Sequence, residues 1–394
     1  MQKINNILSK NCHYLLYLYA LSSALSISAS TVILLIFLSI YLLNIKENYK
    51  SAPKDFLLFA AYYIWAMFTL LFNGIFSKFS RIINIWDKLP YIFASNMNID
   101  KNKIINFLHI LFLINSIIII YALLQKFLGA PIIVKSLYTP DMIRFKGFFS
   151  HPLRFAGYIS LISLFAFNFA VFYSNKFIAY LPFLILSVFL TGSRSYFISF
   201  IATTLLLSYI KSKKLFSIYS ISILLYVTFV FFVFPDVRGR TESSFDSHDQ
   251  GVSSASLRFN FWKAGLEIFK SSPIYGVGFY EVSNRLKPYM DKGLIDNNAH
   301  CHNSYITASA ETGFIGLIIY ISIFLYFMRK YLLIGYKEDN LFIKSFSYSL
   351  FSAFLNLAIA GIFESQFSTF IIWSFLTLSM GLFEKINKTK ELAI

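Results

Sequence analysis

Charged residues are scarce in this chain of 394 residues, since Asp, Glu, Lys and Arg together make up only 14%. Soluble domains usually contain about 25% charged residues, so the scarcity excludes an ordinary soluble fold. Hydrophobic residues reach 57% instead. They gather in repeated runs of about 17 to 25 residues, the length that crosses a bilayer. The sequence therefore predicts an all-α, polytopic integral membrane protein.

Cysteines and acidic motifs are also few. Only Cys12 and Cys301 are present, and they lie far apart, so no disulfide framework is implied. The chain lacks a paired-aspartate motif that would hold a metal on a sugar nucleotide, and no soluble nucleotide-sugar fold is visible. It also lacks an internal repeat, which weakens the case for a transporter built from duplicated halves.

The formal net charge of +16 does not indicate nucleic-acid binding, because most lysines occupy short gaps between the apolar runs. That distribution is typical of the positive charge on cytoplasmic loops of membrane proteins. Lys3 and Lys10 precede the first apolar run without a small-residue cleavage site after it. We therefore expect a retained first helix rather than a cleaved signal peptide.

Eleven apolar segments are candidate membrane helices. They cover residues 14–28, 31–44, 55–73, 104–128, 153–173, 177–192, 195–210, 215–235, 306–328, 342–362 and 366–383. The segment 79–96 is ambiguous, because Arg81, Asp87, Lys88 and Pro90 interrupt it. If it crosses, the lysine-rich gaps and both termini fall on the cytoplasmic side. We therefore expect about twelve transmembrane helices.

This topology divides the chain into three parts. Residues 1–235 hold helices 1–9, with a short external loop at 129–152; residues 236–305 form one large periplasmic loop; residues 306–394 hold helices 10–12 and a cytoplasmic tail.

The large loop has a pattern of its own. Residues 236–256 are polar and Ser-rich, which predicts a flexible stretch. Residues 257–270 predict an amphipathic helix on the membrane surface, with apolar positions at helical spacing. These positions are Leu257, Phe261, Leu266 and Phe269. Pro273, Gly276 and Gly278 then predict a tight turn.

Two arginines stand at the predicted outer boundary of the membrane. Arg194, in "LTGSRSYFISF", lies between apolar runs with almost no loop. It either snorkels to lipid headgroups or faces a cavity as a fixed cation. Arg258 begins the amphipathic helix, four residues before Trp262, and is either a rim charge or a second cation on the same side. Arginine suits a diphosphate because its planar fork gives bidentate, permanently charged hydrogen bonds.

The segment "HCHNSY" stands just before the candidate helix 306–328, which is the tenth helix of the twelve-helix topology. His302, followed by Asn303 and Tyr305, is either a structural residue or a general base, because a neutral imidazole suits an alcohol nucleophile. His300 competes for that role. Glu311, farther along the same helix, caps it or pairs with an arginine.

The sequence disfavours two conceivable metal sites. His300, Cys301 and His302 are too close in sequence, because adjacent residues rarely point at one ion. The acidic stretch "DSHD" at 246–249 lies in a Ser-rich segment, where solvated side chains are the simpler interpretation.

Basic residues gather around the start of the candidate helix 153–173. Arg144, Lys146, His151 and Arg154 gather there, serving as interfacial anchors or as phosphate ligands. The outer face thus offers many cations and few carboxylates. Chemistry outside the cytoplasm has neither ATP nor sugar nucleotides, so an enzyme there needs a donor activated in advance. A lipid diphosphate fits that requirement.

These motifs resemble the O-antigen ligase and O-antigen polymerase superfamily of bacterial envelope glycosyltransferases. The resemblance covers roughly residues 140–320. It rests on "GFFSHPLRFAGYISL" (147–161), "LTGSRSYFISF" (190–200), "SLRFNFWKAGLEIFKSSPIYGVGFYEV" (256–282) and "HCHNSYITASAETGFIGL" (300–317).

The resemblance implies a GT-C-like, metal-independent, inverting transfer without a cofactor, on the periplasmic side of the bacterial inner membrane. The donor would be an undecaprenyl-diphosphate-linked glycan, and the acceptor a hydroxyl of lipid A–core. Alternatives are an O-antigen polymerase, a protein O-oligosaccharyltransferase and, in another class, a lipid-linked oligosaccharide flippase. The clustering of polar residues on one side disfavours the flippase.

The resemblance also assigns roles to residues. His302 is the expected general base, and Arg194 and Arg258 are expected on the diphosphate. The resemblance carries no role onto His300. Beside the three residues that it assigns, those expected from their position to bind substrate are Arg154, Trp262, His300, Asn303 and Tyr305.

Overall fold

A computed structural model gives the fold. It describes residues 11–43, 45, 52–132, 136–138, 144–235, 238–239, 254–297 and 300–391. Within these ranges the chain is helical and contains no strand, so the all-α prediction is confirmed. The acidic stretch 246–249 and most of the Ser-rich segment 236–256 lie outside the described residues.

The helices follow one another in this order. They are α1 (Cys12–Leu25), α2 (Ile27–Leu43), α3 (Leu57–Phe72), α4 (Pro90–Ala94), α5 (Lys101–Leu128), α6 (Pro152–Phe172), α7 (Leu181–Leu190), α8 (Arg194–Lys211), α9 (Lys213–Val233), α10 (Ser254–Ser271), α11 (Val282–Arg285), α12 (Lys287–Asp291), α13 (Ser304–Lys337), α14 (Leu341–Ala360) and α15 (Phe370–Glu391). Short 3-10 helices precede α3 (Lys54–Phe56), α4 (Phe76–Lys88) and α7 (Asn175–Tyr180).

Six helical segments of the described chain are long and apolar enough to cross a membrane. They are Lys54–Phe72, Lys101–Leu128, Pro152–Phe172, Lys213–Val233, Ser304–Lys337 and Leu341–Ala360, and two shorter apolar segments are Ile27–Leu43 and Asn175–Leu190. These helices are consistent with a membrane protein, and the count of twelve spans stays a prediction.

The ambiguous segment 79–96 is not one continuous α-helix. It begins in the 3-10 helix Phe76–Lys88, continues as α4 and ends in a turn. Two of its charges are buried inside the protein, since Lys88 Nζ lies 2.6 Å from Asp87 Oδ1, whereas Arg81 is exposed. Lys88 Nζ also donates to the carbonyl oxygen of Phe367 at 2.8 Å, so the residues that interrupt the apolar run tie it to the last helices.

Helix α14 lies at the centre of the bundle. It packs against α13, α6 and α8, and buried polar side chains join these helices. Asn356 accepts a hydrogen bond from Ser199 Oγ at 2.7 Å and donates to Ser160 Oγ at 3.0 Å. Small polar residues that bond across helices are a common means of association inside a membrane, where burying apolar surface gives little driving force.

A break in α13 receives the turn that follows α10. Gly313 has φ 69° and ψ −170°, which no residue with a side chain adopts without strain. The backbone N–H groups of Val277 and Gly278 donate to the carbonyls of Ala310 and Glu311 at 2.9 and 3.0 Å. The glycine-containing turn predicted from the sequence is therefore present, and it fixes the large loop against α13.

The predicted amphipathic helix is also present as α10, but its buried face differs from the predicted one. Phe261, Ala264 and Ile268 are buried in a small core of their own with residues of the loop and of α13. Leu266, which the sequence assigned to the apolar face, is 45% exposed. The buried stripe follows the contact with α13, so the inner face of α10 packs on protein rather than on the bilayer.

Candidate active site

A buried carboxylate, Glu364, is the centre of the candidate site. It lies in the turn 361–369 between α14 and α15, and its side chain is 2% exposed. Arg258 Nη2 is 3.0 Å from Glu364 Oε1, and His302 Nδ1 is 3.9 Å from Glu364 Oε2. Ser195 Oγ, at the start of α8, donates to Oε1 at 3.5 Å. One side chain thus joins three segments that are distant in sequence.

The turn that carries Glu364 is held by backbone contacts. Ser304, the first residue of α13, donates through Oγ to the carbonyl of Glu364 and through N–H to the carbonyl of Gly361, both at 2.7 Å. Ser304 Oγ also accepts from the Gln366 N–H at 3.3 Å. The Lys88 contact with Phe367 supports the far end of the turn. The carboxylate is therefore held in position from both sides.

His302 has a backbone conformation that is unusual for a residue with a side chain, with φ 51°. Left-handed backbone is uncommon outside glycine, although Asn, Asp and His adopt it more often than other residues. The Phe261 ring and the imidazole pack in a T-shaped arrangement with 5.1 Å between centroids, and Trp262 Nε1 donates to the His302 carbonyl at 3.4 Å. These contacts hold the imidazole beside Glu364.

Asn303 and Tyr305 have contacts of their own. Asn303 caps α13, since its Oδ1 accepts from the N–H groups of Tyr305 and Ile306 at 2.9 and 3.0 Å. The Tyr305 hydroxyl donates to the carbonyl of Ala358 at 2.8 Å. Neither side chain lines the cavities described below, and their contact with substrate stays a prediction.

His300 lies beside His302, with 4.9 Å between ring centroids, and its Nδ1 accepts from the His302 N–H at 3.3 Å. Burial lowers the pKa of His300 to about 4, and the neighbouring His302 adds to the shift. Cys301, between them, packs instead into the small core around α10, and burial raises the pKa of its thiol to about 12. In the described part of the chain, no three His, Cys, Asp or Glu side chains gather as a metal-ligand group.

The lowered pKa of His300 gives a stability prediction. The unfolded chain takes up a proton near the ordinary pKa of about 6.5 while the folded chain stays neutral, so stability falls as pH drops from there towards 4. The free energy of unfolding falls by about 3 kcal/mol if the folded protein retains the whole pKa shift of His300. We expect His300→Gln to lose less thermal stability than the wild type between pH 7 and pH 4.5. Equal losses, measured by thermal unfolding in detergent, would contradict a neutral buried His300.

Glu364 lines one of two cavities, and two of its partners line the other. The larger, of about 700 Å³, is polar and cationic. Its lining includes Lys78, Arg81, His151, Arg154, Tyr280, His300, His302, Glu311 and Glu364. The smaller, of about 260 Å³, combines two arginines with an apolar wall and is lined by Arg194, Ser195, Ile198, Arg258, Phe259, Trp262 and Phe363. Glu364 lines the larger cavity, while its partners Arg258 and Ser195 line the smaller one.

The sequence-predicted residues divide between these cavities. Arg194, Arg258 and Trp262 share the smaller one, and Arg154, His300 and His302 share the larger. In the basic group before α6, Arg144, Lys146 and Arg154 all interact electrostatically with His151, and His151 and Arg154 line the larger cavity. Arg144 Nε donates to the carbonyl of Thr191 at 2.7 Å, and Lys146 lines neither cavity.

Several lining residues were missed by the sequence reasoning. Glu364 lies in a short gap between two strongly apolar segments. An isolated carboxylate at such a position was the feature of the sequence that could have indicated a functional residue. Arg81 belongs to the ambiguous segment 79–96, where it counted only as an interruption, and Lys78 comes immediately before that segment. Within the described residues, Glu311 neither caps α13 nor forms an ion pair with an arginine: its carboxylate accepts the Tyr280 N–H and interacts with Lys78.

The fold and the site define a class: a helical membrane protein with a buried carboxylate between a cationic polar cavity and a smaller one with an apolar wall. A protein-family model described as Wzy_C, O-antigen ligase, matches residues 179–321. The matched region contains Arg194, Arg258, His300 and His302, and it ends in α13. The resemblance to the O-antigen ligase superfamily is thereby confirmed, and the family indicates glycan transfer of the ligase or polymerase type. No curated protein matches the chain.

Proposed function

We propose that the chain transfers a glycan from undecaprenyl diphosphate to a hydroxyl of lipid A–core on the periplasmic side of the inner membrane. The observation that carries the proposal is the joint contact of Glu364 with Arg258 and His302. It links a candidate diphosphate ligand to a candidate base across two cavities of different chemistry. The twelve-span topology and the three-part division of the chain belong to the same proposal.

The smaller cavity suits the donor. Arg194 and Arg258 supply permanent charge to the diphosphate, and the wall of Phe259, Trp262 and Phe363 suits a polyprenyl chain. Negative charge builds on the diphosphate as the bond from the anomeric carbon to its oxygen breaks. Cations fixed in position before the reaction stabilise that charge most effectively.

The larger cavity suits the acceptor, because His302 faces it. Nδ1 of His302 points to Glu364, so we assign Nε2 as the atom that takes the proton of the acceptor hydroxyl. The hydroxyl oxygen attacks the anomeric carbon as the diphosphate leaves from the opposite face, which inverts the configuration. Glu364 orients the imidazole and stabilises the imidazolium that forms.

Deleting the gene in the bacterial host tests the function. We expect lipid A–core to stay uncapped while full-length polymer accumulates on the lipid carrier. We also expect the purified protein to transfer polymer from that carrier to lipid A–core in the presence of EDTA, since the arginines supply the cationic charge. Lipid A–core carrying a single repeat would indicate a polymerase instead. An unmodified glycoprotein with normal lipid A–core would indicate a protein O-oligosaccharyltransferase.

A further inference from the structure

The larger cavity contains cations that the proposed transfer does not use. Lys78 and Arg81 come from the 3-10 helix before α4, and Arg154 from the first turn of α6. Among the ion pairs between described residues, none involves any of these three side chains. The donor diphosphate already has Arg194 and Arg258 in the other cavity. The three remaining cations therefore indicate that this cavity binds a second anionic group.

The carboxylates of the same cavity do not satisfy them. Glu364 is engaged with Arg258 and Ser195. Glu311 is buried, accepts the backbone N–H of Tyr280 and interacts electrostatically with Lys78. Lys78 is thus partly offset, whereas the two arginines keep their full charge.

Arg81 is exposed, and a contact with Tyr280 positions its guanidinium. Its guanidinium carbon lies 5.3 Å from the centre of the Tyr280 ring, within the range of a cation–π contact. The Tyr280 hydroxyl in turn accepts a hydrogen bond from Asn84 Nδ2 at 2.9 Å, on the same 3-10 helix as Arg81. A positioned guanidinium loses less conformational freedom on binding than a mobile one, so this arrangement suits ligand recognition.

The chemistry of these side chains favours phosphate over a neutral sugar. Neutral hydroxyls are both donors and acceptors, whereas arginine and lysine only donate. A phosphate monoester has close to two negative charges near pH 7 and oxygens that match the arginine fork. Two arginines with a partly offset lysine fit that charge better than the single charge of a carboxylate.

We propose that Lys78, Arg81 and Arg154 form a subsite for a phosphate group on the acceptor saccharide. This inference rests on the proposed function, because it assumes that the acceptor enters the cavity that His302 faces. A phospholipid headgroup offers the same phosphate chemistry, so the test must vary the acceptor while the membrane stays constant.

The test compares two acceptors in vesicles of one lipid composition: lipid A–core, and lipid A–core treated with phosphatase. We expect the wild type to have a KM about tenfold or more lower for the phosphorylated acceptor, as the loss of charge-assisted hydrogen bonds implies. Arg81→Gln/Arg154→Gln should raise that KM to the value for the treated acceptor and leave kcat unchanged. Arg285→Gln is the matched control, because Arg285 is exposed and lines neither cavity.

Two outcomes would overturn the subsite. A wild type that does not distinguish the acceptors contradicts it. A double variant that loses both acceptors equally indicates membrane anchoring or a structural role instead. The wild type separates the two proposals. If it transfers glycan to neither acceptor, the proposed function fails, whereas if it is active and the double variant still prefers the phosphorylated acceptor, only the subsite fails.

Discussion

Replacing His302 by alanine is expected to lower transfer by about 10²- to 10⁴-fold, the range that a positioned general base contributes. The acceptor hydroxyl would then attack without transferring its proton to a base. The protein should still fold, because the imidazole contributes ring contacts and a 3.9 Å contact with Glu364 rather than a helix cap. The measurement is the initial rate of glycan transfer in vesicles, at saturating donor and acceptor.

A second variant at this position separates chemistry from backbone strain. His302 has a positive φ, a backbone conformation that asparagine adopts more readily than alanine. His302→Asn should therefore match the wild type in thermal stability and still lack transfer. The control is His109→Gln, which removes an imidazole from α5 that lines neither cavity. Retained transfer in a folded His302→Asn protein would remove the general-base role.

The sequence predicted the local features of this site well. Long apolar runs predicted the helices, because length and composition decide membrane insertion. Helical spacing predicted α10, and the two glycines predicted the turn that follows it. The sequence indicated Arg194 because a charge at membrane depth is costly without a role. It indicated Arg258 as a second cation on the same side and His302 as a candidate general base.

The relations between these residues could not be predicted in the same way. Glu364 is 106 residues from Arg258, and no periodicity links a carboxylate in a short turn to an arginine that far away. The exposure of Leu266 depends on how α10 meets α13, which the helical pattern alone does not specify. Lys78 and Arg81 lie on a 3-10 helix, which has three residues per turn. An α-helical spacing of residues therefore does not predict which of its side chains face the cavity.

Replacing Glu364 by glutamine is expected to lower transfer by about 10²-fold, comparable with the loss of one preorganised electrostatic contact in an active site. Glutamine preserves the shape and one oxygen acceptor, so the fold should change little. It removes the charge that faces Arg258 at 3.0 Å and His302 at 3.9 Å. Arg258 would lose its fixed position, and the imidazolium formed during transfer would lose its counter-charge.

A double-mutant cycle identifies the cause of that loss. If Glu364 acts by positioning Arg258, then Arg258→Gln should cost much less in the Glu364→Gln background than in the wild type. The expected coupling is about 1.5 to 3 kcal/mol, the range of a hydrogen bond between charged groups. Glu384→Gln is the control, since that carboxylate pairs with Lys330 near the other end of α13. Additive losses for Glu364 and Arg258 would mean that they act independently, and the link between the diphosphate cavity and the base would then have no energetic basis.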